Sequence, residues 1–143
     1  MVDFQTTSSP VGKRIDTRWR ASKHGQDVAR PAQLDPTTLT SGTHYPTSGS
    51  NANIVPSGLA VGAITASGLY GPYDADAEDG HEVLAGYVND NEGVELGETP
   101  SSAKPTFALL VHGFIKASLL PIAAQRTAVK TATTTGSFIY VED

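Results

Sequence analysis

Glycine and proline, 14 and 9 of 143 residues, punctuate this chain so closely that long helices have little room. Together with serine and threonine they fill the place left by a hydrophobic content of 38%, against a soluble average of roughly 45%. Such a composition favours short strands joined by turns and argues against a helical bundle or coiled coil. The length suffices for one ordinary core. Cysteine is absent, which excludes a disulfide scaffold, a thiolate zinc site and a cysteine nucleophile. No apolar run reaches the roughly 18 residues of a membrane span, and residues 1–10 have neither a basic n-region nor an apolar h-region. The expectation is a soluble protein made in the cytoplasm.

Charge is divided unevenly. Residues 1–30 carry six basic side chains (Lys13, Arg14, Arg18, Arg20, Lys23, Arg30) against three acids (Asp3, Asp16, Asp27), a balance of +3, and the rest of the chain carries −8. This pattern predicts a basic arm over residues 1–36 on an acidic β-rich body over residues 37–143. The sole tryptophan, Trp19, lies inside the arm in RWRASKHGQD (residues 18–27). A free polar tail has little reason to keep its largest apolar side chain in water, so the arm is expected to dock onto something, its arginines pairing with carboxylates or phosphate. Nucleic acid is disfavoured as that partner, because the acidic body is repelled by phosphates and no recognition motif is present.

In the body, residues 31–53 read as extended chain and loops with a short strand at 37–40. In VPSGLAVGAIT (residues 55–65) a Pro-Ser-Gly turn leads into a strand with Leu59, Val61 and Ala63 on one face and Ala60, Gly62 and Ile64 on the other. GLYGPYDADAEDG (residues 68–80) ends in an acidic loop. Its spacing fails for an EF-hand, since counting from Asp74 places Asp79 at position six and Ala85 at twelve, where glycine and glutamate belong. Residues 84–88 and 94–96 flank NDNEG (residues 89–93) as a predicted hairpin. FALLVHGFIKA (residues 107–117) reads as one central strand with Phe107, Leu109, Val111 and Ile115 on one face and Leu110, His112, Phe114 and Lys116 on the other. SLLPIAAQRTAVK (residues 118–130) reads as a helix placing Leu119, Ile122 and Val129 near one face, and SFIYV (residues 137–141) as a closing strand.

The histidines at 24, 44, 81 and 112 lack metal-ligand spacing, so no metal or other cofactor is indicated. No nucleophile elbow, phosphate-binding loop or dinucleotide fingerprint occurs, and His112 in a strand reads as a packed or interface residue rather than a general base. The residues point away from an enzyme.

The succession RWRASKHGQD, THYP (residues 43–46), VPSGLAVGAIT, GLYGPYDADAEDG, LAGYV (residues 84–88) and LLVHGFIKASLLP (residues 109–121) resembles the head decoration, or capsid cement, proteins of tailed bacteriophages. The late strand, Leu-x-Pro step, short helix and final strand are similar in order to the phage lambda decoration protein family, which has no obvious match to RWRASKHGQD. The resemblance implies a mainly β (α+β) decoration domain of sandwich or barrel-like, β-tulip type, with one or two short helices and an extended N-terminal arm. It further implies a non-catalytic homotrimer on the outer surface of the virion head, bound to the major capsid protein at threefold and quasi-threefold positions and reinforcing the shell against DNA pressure. Carried onto this chain, capsid contact falls on Arg14, Arg18, Trp19, Arg20, Lys23, His24 and Asp27. Aromatic and small apolar residues favour interface centres, which nominates Val55, Pro56, Gly58, Tyr70, Tyr73 and Phe114 for the trimer contact. The same residues also read as the core of a single subunit. The alternative function is a small cytoplasmic β-rich binding or adaptor module using the acidic loop at residues 74–82.

Overall fold

The computed structural model describes residues 15–25 and 29–142. Its centre is a five-stranded antiparallel sheet in the order β1 (Arg30–Gln33), β7 (Thr106–Leu110), β5 (Gly86–Val88), β3 (Ala60–Ala63) and β4 (Tyr70–Pro72). A short antiparallel pair joins β2 (Ile54–Val55) to β6 (Val94–Glu95), and a parallel pair joins β8 (His112–Ile115) to β9 (Ser137–Tyr140). The fold is thus mainly β. The two edges of the large sheet come together just past β1, where Leu34 bridges Tyr70 and the Asp35 amide donates to the Tyr70 carbonyl at 2.8 Å.

Side-chain alternation across this sheet separates two cores. Leu59 and Val61, Val88, and Phe107 and Leu109 point into one, with Leu34, Val55 and Val94. Ala60, Tyr87 and Leu110 point into the other, where Trp19, Leu84, Ile115, Leu120 and Val129 cover them. The alternation read at residues 59–61 and the closing strand are therefore as the sequence predicts.

Several predicted elements differ. Residues 37–40 are not a strand: Pro36–Thr38 forms a 3-10 turn. Asp35 Oδ1 accepts from the Thr37 amide at 3.0 Å and from its hydroxyl at 2.7 Å, and Pro36 pre-sets the first position. The single strand expected over 107–117 is two, because the chain leaves the large sheet at Val111 and continues as β8 beside β9. Ile115 consequently packs with Leu110 and Trp19, not with Phe107. The predicted hairpin at 84–96 does not form: β5 pairs with β3 and β7, and β6 pairs with β2. Asp90 Oδ1 accepts from the Ala108 amide at 2.8 Å, holding the turn against β7 and sending the chain away from β5.

Residues 118–130 break into the 3-10 turn Ala117–Leu119, the single-turn α1 (Gln125–Ala128) and the 3-10 turn Val129–Thr131. Pro121, with no amide to donate, separates the first from the second, so Ile122 packs on one core while Leu119 and Val129 pack on the other.

Candidate functional site

The N-terminal segment carried the expected docking role, and the structure places it against its own body. Trp19 is 0% exposed. Its indole Nε1 donates to Ser57 Oγ at 3.1 Å, and its ring lies 5.6 Å from that of Tyr87. Gly58 permits this seat: a Cβ there would stand 2.8 Å from Trp19 Cδ1, and the residue's φ of +96° is one that L side chains rarely adopt. The backbone is fastened as well, with the Lys116 amide donating to the Trp19 carbonyl at 2.7 Å and the Ala21 amide to the Phe114 carbonyl at 2.9 Å. Arg20 bridges Ile115 in antiparallel fashion, so residues 19–21 lie beside β8 through an isolated bridge.

Arg20 is turned inward rather than toward a partner. Its guanidinium stands 5.3 Å from the centre of the Trp19 ring, donates to Asn89 Oδ1 at 2.9 Å and also binds Asn91 Oδ1. Burial pushes its pKa below the ordinary arginine value. Arg18 faces solvent and forms an ion pair with Asp16 at 2.7 Å. The hydrogen bonds from Arg18 hold the Asp16 carboxyl below its usual range. Lys23 is exposed. His24 meets His112 with 2.6 Å between their Nε2 atoms and sets its ring edge toward Phe114. Arg14 and Asp27 lie outside the described residues.

Within the expected arm of residues 1–36, Trp19 and Leu34 are core residues and β1 is a strand of the large sheet. Trp19 satisfies its apolar surface and its N–H inside the subunit, so it is not an exposed anchor for another protein. Among the nominated trimer residues, Val55, Gly58 and Tyr73 are buried in the subunit's own interior. Pro56, Tyr70 and Phe114 remain half-buried, Tyr70 stacked edge-on against Phe107 at 5.9 Å.

Sequence reasoning missed three constellations because their members are far apart in the chain. Gln125 is 4% exposed, and its carboxamide accepts from the Ala60 amide at 3.0 Å while donating to the carbonyls of Ala60 and Tyr73 at 3.0 and 3.2 Å. It ties α1 to the ends of β3 and β4. The hydroxyls of Tyr87 and Tyr140 share a hydrogen bond at 2.8 Å, and burial pushes the Tyr87 phenol far above the ordinary tyrosine range. A cleft of about 480 Å³ is lined by Thr38, His44, Tyr73, Asp74, His81 and Gln125 among others. Within it, His44 Nδ1 accepts from the Thr40 amide at 2.8 Å, and burial lowers the His44 pKa against the opposing pull of Asp74. His81 Nε2 stands 3.1 Å from Asp79 Oδ1, while its Nδ1 is buried without a hydrogen-bond partner.

The acidic loop is largely exposed and satisfies itself locally, Asp74 Oδ1 accepting from the Asp76 amide at 3.0 Å. Among the described residues, no group of three or more His, Cys, Asp or Glu is placed to hold a metal ion, and no helix is long and apolar enough to cross a membrane. No family model matches the sequence, and neither the curated proteins nor the solved structures contain a match.

Proposed function

We propose that this protein is a structural decoration protein of a tailed-bacteriophage head, binding the outer surface of the expanded shell as a homotrimer in contact with the major capsid protein. The observation that carries the reading is the meeting at Trp19 of the segments on which the resemblance rests. Ser57 and Gly58 of the Pro-Ser-Gly turn, Tyr87 of LAGYV, and Ile115 and Lys116 of the late strand all converge on that indole or its backbone. These stretches of the resemblance are thus packed together rather than scattered turns of similar composition. In this reading the large sheet, its edges joined through Leu34 and Tyr70, is the barrel-like decoration body. Because Trp19 and Arg20 are held inside, shell contact falls to the exposed polar groups of the same segment, Arg18 and Lys23, with half-buried Pro56 and Phe114 as apolar contributors to an interface.

The test is co-sedimentation of the full-length protein with expanded and unexpanded heads of the phage that encodes it. Saturable binding to expanded heads, weakened when Arg18 and Lys23 are both changed to glutamate, agrees with the proposal; no binding to either form refutes it. A second reading, a small β-rich binding module, draws on the cleft between His44, Asp74 and His81. Amide shifts confined to that cleft on addition of a small-molecule library, in a protein that ignores heads, favour it.

A further inference from the structure

The geometry points to Asp79–Gly80 as a site of intrachain cyclisation, in which the Asp79 side chain closes on the Gly80 amide to a succinimide that reopens as an isoaspartyl linkage. Two flanking side chains are set on the two groups that must exchange protons. Glu82 Oε2 accepts from the Gly80 N–H at 2.7 Å, where a base has to act. On the other side, His81 Nε2 stands 3.1 Å from Asp79 Oδ1, where an acid has to act. The carboxylate is open to water, with 57% of its side chain exposed, so the released water has a way out.

The fold also explains why a reactive pair persists here. A Cβ on residue 80 would lie 2.4 Å from the Ala63 carbonyl oxygen, and φ is +123°, so packing against the end of β3 demands glycine. The absence of a side chain that the packing requires is also what leaves the amide nitrogen sterically free to attack.

The step balances. A proton from the mildly acidic medium reaches the Asp79 carboxylate at its edge beside His81 Nε2; Glu82 takes the Gly80 amide proton; the nitrogen bonds to Cγ. The Cγ–OH bond breaks, and the hydroxide leaves with the proton held by Glu82 as one water. The products are the cyclic imide, one water and the regenerated Glu82 carboxylate, with no oxidant or reductant involved. Reopening by water breaks one of the two C–N bonds. The Asp79 main-chain carbonyl oxygen accepts from the Thr65 amide at 2.9 Å, which stabilises negative charge on that oxygen and steers water to the main-chain carbon. That route leaves Gly80 joined through the side-chain carbon and adds one methylene to the backbone beside the His44–His81 cleft. The inference stands apart from the decoration reading, since it concerns chemistry within one chain.

The experiment ages folded full-length protein in mildly acidic buffer, following loss of one water by intact mass and isoaspartate by methyltransferase labelling with peptide mapping. The expected result is isoaspartate at residue 79. Glu82→Gln and His81→Gln should each slow it by on the order of tenfold or more in the folded state, while all three chains cyclise at a common rate in urea. Circular dichroism establishes that each variant is folded. Folded Glu82→Gln reacting at the wild-type rate, or no product at residue 79 in aged wild type, overturns the inference.

Discussion

Replacing Trp19 with alanine separates a core residue from a tether. The indole is wholly buried against Tyr87, Gly58 and Ile115. A tryptophan buries about 150–250 Å², worth about 4–6 kcal/mol at ~25 cal/mol per Å², and measured Trp→Ala losses in cores run about 3–5 kcal/mol. Taking about 4 kcal/mol, the change removes a large share of the roughly 5–15 kcal/mol that a domain possesses. For a chain of this length it lowers Tm by about 12 °C at roughly 3 °C per kcal/mol. The assay is thermal unfolding by circular dichroism or calorimetry on the free protein, with Arg18→Ala as the comparison, since that side chain faces solvent in the same segment. Arg18→Ala should melt as wild type. If Trp19→Ala melts within about 2 °C of wild type, the indole contributes nothing to the isolated fold and the reasoning from its burial fails.

Other consequences follow from the same packing. Gly58→Ala forces a Cβ to within 2.8 Å of Trp19 at φ +96° and should cost about 1–3 kcal/mol in denaturant titration. Gln125→Leu strips both backbone groups of Ala60 of their side-chain partner and should destabilise by about 2–4 kcal/mol, with amide exchange accelerated at Ala60. Tyr87 has its pKa raised by burial, so the unfolded chain releases its phenolic proton at lower pH than the native one; stability is intact below the unfolded value of about 10 and falls as pH rises above it. Tyr87→Phe should flatten that alkaline loss in pH-dependent denaturation. His112→Ala removes the ring that meets His24 Nε2 at 2.6 Å and should speed amide exchange at Ala21, whose N–H is held by the Phe114 carbonyl alongside.

Local patterns were legible in the sequence wherever one residue's neighbours in the chain decide its place. The Leu59–Ala60–Val61 alternation and the strand at Ser137–Tyr140 follow from periodicity alone. Trp19 was legible as a residue needing a partner, but nothing in RWRASKHGQD says that the partner is the chain's own Tyr87 and Gly58. Basic flanks in a polar segment suit an outside partner equally well, whereas Arg20 finds its acceptors at Asn89 and Asn91, far along the chain. The break at Val111 was hidden because apolar residues continue on both sides of it; what ends β7 is competition for β8 from β9 and from residues 19–21, a tertiary matter. The unmade hairpin failed for a similar reason: Asp90 caps Ala108 and redirects a turn whose composition alone favours β5 meeting β6. The Gln125 clamp and the His44–His81 cleft depend on contacts between distant segments and leave no local signature.

The most direct measurement is the fluorescence of the single tryptophan in the free, undecorated protein, read as emission maximum and acrylamide quenching. A seat beside Ser57, Tyr87 and Gly58 predicts blue-shifted emission and strong protection from quencher that vanish together on unfolding. Emission and quenching equal to those of the urea-unfolded chain, in a protein whose circular dichroism is still that of a folded β body, would contradict it.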